Sequence, residues 1–354
     1  MSDRRSAAPG GPAARRPRLE DVAAAIGMSP SSVSLALSDR PGPSEKTRRR
    51  VREAADRLGY RPDRTASLLA RSRTRLLGVM LDIRNPFHAE LVEDLHQASA
   101  GRGYELVLST VTADRDERRA IETLLDFRCE ALILLGPAGS WNHHHVPVVA
   151  VGKQTGSDVD VVRAADELGV GQAVAHLVEL GHRDIAFVDG GKGPIATLRR
   201  GGYRTAMRGH GLGDALCIIP GGNDERAGAR AGRKLIDSGR LPSAVITFND
   251  RCAVGLQDTF TRAGIRIPDD VSLVGYDNST LARLAHIDLT SVDQNAAELA
   301  AHAVQAAADR LEDRRTTTEE FVLTPHLVIR GSTAAVASTT TRPMAAVDSR
   351  PQRT

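Results

Sequence analysis

The chain has 354 residues, of which 41% are hydrophobic and 26% charged, enough for two or three globular units at roughly 150 residues per domain. No run reaches the roughly 18 to 20 apolar residues of a membrane helix, residues 1–17 lack the apolar stretch of a secretory signal, and Cys129, Cys217 and Cys252 show no CxxC spacing. These features argue against a membrane, exported or disulfide-stapled protein, and the expectation is a cytoplasmic chain with free thiols and no bound cofactor. Net charge is only +3, but residues 1–75 hold 17 Lys/Arg against 8 Asp/Glu, a net of +9 that leaves −6 on the rest. A basic head on an acidic body suits a polyanion binder, because cations that neutralise phosphates release condensed counterions while the body is repelled.

Residues 1–17 and 335–354 are rich in Pro, Ala, Ser, Thr and Arg and hold too few large apolar residues to build a core, so they are expected to be disordered tails. Between them, the spacing predicts three short helices over 19–26, 30–37 and 45–58. Ser29 precedes Pro30 as an N-cap, Ser44 caps the third helix, Gly27 makes the first turn and Gly59 supplies a left-handed terminus. Leu19, Val22, Ala23, Ile26, Val33, Leu37, Val51, Ala54, Ala55 and Leu58 recur at helical spacing as one small core. Two eight-residue helices joined by a short glycine-containing turn match a helix-turn-helix, whose second helix enters the major groove of DNA.

From residue 75 the rhythm changes to short apolar runs alternating with amphipathic stretches, the pattern of βα units around a parallel sheet. Strands are predicted at 76–83, 104–111, 131–136, 146–152, 184–191, 243–250 and 271–278. Asp82, Asn249 and Asp277 lie at the carboxyl ends of such strands, where open α/β sheets bind ligands. Two successive sheets facing a cleft fit the length better than one. The predicted fold is thus an all-α helix-turn-helix head followed by an α/β body of two doubly wound parallel-sheet subdomains.

DVAAAIGMSPSSVSLAL, Ser44-Glu-Lys-Thr-Arg, LGYRPDRTASLLA, NPF, GHRDIAFVDGG, RRGGYRTAM, TFNDRCAVG, IPDDVSLVGYDN and LTSVDQN follow one another in order over residues 18–332. In these segments the chain resembles the lactose-repressor (LacI/GalR) family of bacterial transcription regulators. The resemblance implies a head at 18–60, a hinge at 61–74 and a periplasmic-binding-protein-like effector and dimerisation domain at 75–332. Its subdomain 1 would span about 75–153 and 294–323, and its subdomain 2 about 157–290 and 324–332.

On the head, the resemblance implies that Pro30, Ser31 and Ser34 face base edges, while Ser29, Ser32 and basic neighbours such as Arg18 and Arg64 touch phosphate. The last base-contacting position is Leu35 rather than a polar or basic residue, and Arg18 stands where a capping Thr is usual. Leu35 can meet a thymine methyl but cannot make the bidentate contact of an arginine with guanine. Leu69 matches the hinge leucine that wedges between base steps of a pseudo-palindromic operator. An isolated hinge run of about eight residues is too short to be helical in water, so its folding is coupled to DNA.

In the body, the resemblance implies a small-molecule effector between the subdomains, held by Asp82, Phe87 and His88 from the first, Lys153 at the crossover, and Arg199, Asn223, Asn249 and Asp277 from the second. Acid, amide and guanidinium groups satisfy a polyhydroxylated ligand, and with 3% aromatic residues a sugar or related polar metabolite is favoured over a stacked base. A homodimer is implied, with helices near 89–99 and 253–263 at its surface; the C-terminal tail has no leucine heptads for a tetramer. His143-His144-His145 lacks further ligands at metal-site spacing, GGKGP is not a phosphate-binding P-loop, and no nucleophile elbow is present, so no enzyme is expected. The alternative is a solute-binding component of a transport system, which the body alone would permit and the basic head opposes.

Overall fold

The computed structural model describes residues 17–37, 42–61, 73–136, 146–152 and 159–336. The chain divides after Thr74 into two units. In the first, α1 (Leu19–Ile26), α2 (Pro30–Leu37) and α3 (Glu45–Leu58) enclose Val22, Ala23, Ile26, Val33, Ala36, Val51, Ala54 and Ala55. Local chemistry explains the boundaries. Ser29 Oγ accepts from the Ser32 N–H at 3.2 Å, Ser44 Oγ accepts from the Thr47 N–H at 3.3 Å, and Gly27 closes α1 at φ 65°. Arg50 donates to the Ile26 carbonyl at 2.9 Å, placing a cation on the negative end of α1. Leu58, expected in the core, is 39% exposed; Tyr60 packs against the cluster at that end instead.

The second unit holds two sheets. The first is built from β1 (Leu76–Asp82), β2 (Glu105–Val111), β3 (Ala131–Leu135), β4 (Val148–Val151), β5 (Asp160–Ala164) and β11 (Glu320–Leu323), in the order β11-β5-β4-β3-β1-β2, all parallel. Helices α4 (Pro86–Ala100), α5 (Glu117–Asp126) and α10 (Ala296–Glu312) cover it. Its core is aliphatic, from Leu77, Val79, Leu91, Leu95 and Ile133 to the alanine face of α10 at Ala300, Ala303 and Ala307.

The second sheet contains β6 (Ile185–Val188), β7 (Cys217–Ile219), β8 (Ala244–Thr247), β9 (Ser272–Tyr276), β10 (Thr290–Asp293) and β12 (His326–Val328), in the order β12-β10-β9-β8-β6-β7. Only β12 runs antiparallel. Its helices are α6 (Asp166–Glu179), α7 (Pro194–Gly209), α8 (Glu225–Asp237) and α9 (Asp250–Arg262). The backbone passes between the sheets three times: after β5, between β10 and α10, and between β11 and β12.

The first passage corrects an expectation. The sequence reading places it at about 153–157, but residues 160–164 still pair with β4 and β11, so the change of sheet occurs at Ala165. The strand was missed because Asp160 and Arg163 interrupt its apolar run. Asp160 is nonetheless fully buried, accepting from the Arg315 guanidinium at 2.9 Å and from the Glu319 N–H at 2.7 Å, bonds that offset the cost of burying a carboxylate.

Helices α8 and α9 approach closely through glycine. A Cβ on Gly228 would lie 1.9 Å from the Cys252 carbonyl oxygen, and one on Gly255 would lie 1.9 Å from that of Glu225. Only glycine fits at either contact. The consequence is positional: the amino ends of the two helices, with Asn223 to Glu225 and Asn249 to Arg251, are held side by side. Among the described residues, no helix is long and apolar enough to cross a membrane.

Candidate nucleic-acid face and ligand cleft

The head presents one face of α2 outward. Val33 and Ala36 point into the core and Ser32 is half-buried, whereas Ser29, Pro30, Ser31, Ser34 and Leu35 are exposed. Ser29 Oγ lies 3.0 Å from Ser31 Oγ and 2.8 Å from Ser32 Oγ, so these hydroxyls form a local network at the helix start. Arg18 is exposed at the N-cap of α1, and its backbone N–H donates to Asp21 Oδ2 at 2.6 Å, the half of a capping box that the N3 side chain supplies. Arg49 and Arg52 of α3 are exposed and only loosely paired, at 3.9 Å to Glu53 and 4.0 Å to Glu45. Pairs of that kind contribute little, so both cations stay available to an external anion. Arg64, Leu69 and Lys153 lie outside the described residues.

In the second unit, the carboxyl ends of β1, β6, β8 and β9 and the amino ends of α4, α7, α8 and α9 gather the polar residues. Asp82 ends β1, and Arg84 grips both of its oxygens, Nε and the backbone N–H to Oδ1 and Nη2 to Oδ2, all at 3.0 Å. Burial pushes the Asp82 carboxyl up, but Arg84 more than offsets this and holds it below the ordinary carboxylate range. Arg84 also feels Asp224 of the other subdomain, and Arg251 feels Asp82, so charges of the two subdomains face each other. On the outer turn of α4, Glu90 accepts from the Thr280 N–H and stands 3.7 Å from the Arg283 guanidinium, a polar contact between the subdomains.

Phe87 is buried in the first turn of α4, and His88 follows it. His88 Nδ1 accepts the Asp82 N–H at 3.2 Å, which fixes the neutral tautomer with the proton on Nε2, near Gly136. Burial lowers the imidazole to about 4, against the pull of Asp82. Because the folded value lies below the ordinary 6.5, the stabilisation is fully present above pH 6.5 and is lost as pH falls towards 4. Between pH 7 and pH 5 the second unit should lose roughly 2 kcal/mol that the His88→Gln variant keeps. Urea unfolding of both proteins at the two pH values measures the difference; equal pH dependence would show that His88 is not held neutral by the fold.

Arg199 is the centre of the second wall. It is fully buried, donating from Nε to Asp166 Oδ1 at 2.7 Å and from Nη1 to the Phe248 carbonyl at 2.5 Å, with Nη2 3.7 Å from Asp277 Oδ1. Its guanidinium lies 3.5 Å from the ring centre of Tyr276 and 4.8 Å from that of Phe248. Burial pulls its proton affinity down, and Asp166, Tyr276 and Asp277 more than restore it.

Asp277 sits at φ 107° and its neighbour Asn278 at φ 48°, a strained turn directly after β9. Gln294 Nε2 donates to Asp277 Oδ1 at 2.8 Å. Burial holds Asp277 well above the ordinary range despite Arg199. Asp250, which takes hydrogen bonds from Ser279 and Ser291, is pushed up to about 6 by the same cause.

The structure therefore gathers Asp82, Phe87 and His88 on one side and Arg199, Asn223, Asn249 and Asp277 on the other, with different availability. Asn223 is exposed. Asn249 is committed to the fold: its Oδ1 caps α9 by accepting the Cys252 N–H at 2.9 Å, and its Nδ2 donates to the Asn223 carbonyl at 3.1 Å. Sequence reasoning missed Arg84, Asp166, Asp189, Arg200, Glu225 and Arg251. Asp189, whose buried Oδ1 has no hydrogen-bond partner among the described residues, directly follows β6 as Asp82 ends β1, a signal that was available. Arg200 pairs with Asp189, and Arg251 grips Glu225 with two bonds of 2.8 and 2.6 Å.

Residues 18–63 match the model of bacterial regulatory proteins of the lacI family, and residues 174–333 match that of the periplasmic binding protein-like domain. The ribose operon repressor of Escherichia coli (strain K12) is 32% identical over 328 residues, covering 89% of this chain and 99% of that protein. The chain belongs to the LacI family. Among solved LacI-family structures, the complex of the transcriptional regulator CelR with cellobiose is 28% identical, with a TM-score of 0.65, and covers 90% of this chain and 100% of that one. The Lac repressor dimer bound to operator and the anti-inducer ONPF is 25% identical, with a TM-score of 0.77, and covers 91% and 100%. The LacI model thus falls on the three-helix head and the binding-protein model on the second sheet together with α10 and β11 of the first, the α-helical and α/β parts of this family member.

Proposed function

We propose that this chain is a homodimeric transcriptional repressor whose affinity for a pseudo-palindromic operator is controlled by a small polar effector, a sugar or related metabolite, bound between the two subdomains. The observation that carries this reading is the presence on one chain of a helix-turn-helix with an exposed α2 face and a two-sheet body with facing polar walls, matched over nearly its whole length by a ribose operon repressor. The neighbours' complexes with cellobiose and with operator support the two halves separately.

In this reading α2 enters the major groove, Arg18 and Arg64 meet phosphate, and Leu69 from each subunit wedges into the operator centre. Two-fold symmetry of the dimer, built on α4 and α9, dictates the palindrome. Asp82, His88, Asp189 and Asp277 face the effector's hydroxyls. Effector and operator are coupled reciprocally: a ligand that prefers the subdomain angle incompatible with DNA weakens operator binding by the ratio of its affinities for the two states.

Selection of genomic fragments by the full-length chain, followed by a release screen with D-ribose, cellobiose and a metabolite panel, tests both halves. The expected outcome is a palindromic site released by a polyhydroxylated compound. Absence of any preferred fragment at low and moderate salt would overturn the operator half, and release by no compound the effector half.

A further inference from the structure

The outward face of α2 follows from the 3.6-residue repeat, which buries Val33 and Ala36 and exposes Pro30, Ser31, Ser34 and Leu35 on the other side. None of these side chains carries an amide, a guanidinium or a carboxylate. Direct readout of guanine or adenine relies on bidentate pairs from such groups, whereas a hydroxyl is both donor and acceptor and bonds to more than one base. Ser29, Ser31 and Ser32 also hydrogen-bond among themselves, which further lowers their power to discriminate.

Leu35 is different. It is the large apolar side chain of this face, 37% exposed in the second turn, and it is backed by Gly42, where a Cβ would stand 3.4 Å from Leu35 Cδ2. A leucine pressed on a base edge that offers only donors or acceptors strips them of water and returns no bond, a penalty. Pressed on the 5-methyl group of thymine it removes apolar surface from water instead.

We propose that Leu35 reads a thymine 5-methyl group in each operator half-site and is the principal base-discriminating side chain of α2. This rests on the reading of the chain as an operator binder. The base is identified by its methyl group, not by hydrogen bonding, so the discrimination should vanish when the methyl alone is removed.

The test uses the full-length chain and the palindromic site recovered by genomic selection, with each thymine replaced in turn, symmetrically in both half-sites, by deoxyuridine. At one position the substitution should weaken wild-type binding about fourfold per half-site, about fifteenfold for the dimer, the ratios that correspond to about 0.8 kcal/mol per buried CH2-sized group. Leu35→Ala should weaken binding to the thymine operator and become indifferent to deoxyuridine there. Because the base change leaves the protein untouched, folding of the variant cannot produce the first result. No position sensitive to methyl removal would overturn the proposal, as would equal sensitivity in Leu35→Ala, which would assign the methyl contact to another side chain such as Pro30. Failure of the parent reading shows differently, as the absence of any preferred site from the start.

Discussion

Replacing Arg199 with alanine should destabilise the second unit by about 3–5 kcal/mol, the range for removing one partner of a buried ion pair, and abolish response to the effector. At roughly 2–4 °C per kcal/mol for a domain of this size, its melting temperature should fall on the order of 10 °C. The reason is geometric. Arg199 joins Asp166 on α6, the Phe248 carbonyl after β8 and Asp277 after β9, so its loss leaves two buried carboxylates facing a void with no cation between them. The buried Asp277 carboxyl, already held above the ordinary range, would then rise further, and a carboxyl whose folded affinity for protons is raised contributes stability that is lost as pH rises. The deficit of the variant should therefore grow from acid towards neutral pH. Arg199→Lys restores a charge but not the planar fork, and should recover only part of the loss. Thermal unfolding at pH 5 and pH 7.5 decides the matter: an unchanged melting temperature with lost effector response would make Arg199 a ligand contact alone.

Deleting residues 1–72 should abolish operator binding while leaving a dimer that still binds its effector. The deleted segment carries 15 Lys/Arg and 8 Asp/Glu, a net of +7 that leaves −4 on a chain whose total is +3. A specific complex typically binds ~10³ to 10⁷ times more tightly than its nonspecific counterpart, and both contributions should disappear together, because the remaining acidic surface repels the duplex. The second unit has its own three apolar clusters and is divided from the first after Thr74, so it should keep its fold. Fluorescence anisotropy with labelled operator, light scattering for mass and calorimetry with the effector read the three properties separately. Operator binding that survives the deletion would overturn the assignment of DNA recognition to α2.

Local chemistry makes the head legible in the sequence itself. Ser29, Ser44, Gly27 and Gly59 act within three or four residues of themselves, and a cap or left-handed turn depends on little else. Leu58 misled for the complementary reason: helical spacing names the face of α3 but not how far along it α1 and α2 extend. The seven apolar runs read as strands are strands; six are buried along nearly their whole length, whereas β2, at the edge of its sheet, leaves Glu105 and Leu108 exposed. Five others escaped notice, including β5 with its buried Asp160 and three-residue β7 and β12, because charge or brevity hid them.

The candidate cleft divides along the same line. By itself the chain determined its two-part character: the +9 concentrated in residues 1–75, the two short helices around Gly27 and the alternation of strand and helix are all written in near-neighbour order. Tertiary structure alone decided that Asn249 serves as a cap, that Arg199 is a strut between Asp166 and Asp277, and that Arg251 belongs to Glu225. Capping and periodicity act over a turn of helix, whereas the partner of a buried charge is chosen by which strand ends the sheet order brings within about 3 Å, and no linear spacing encodes that distance.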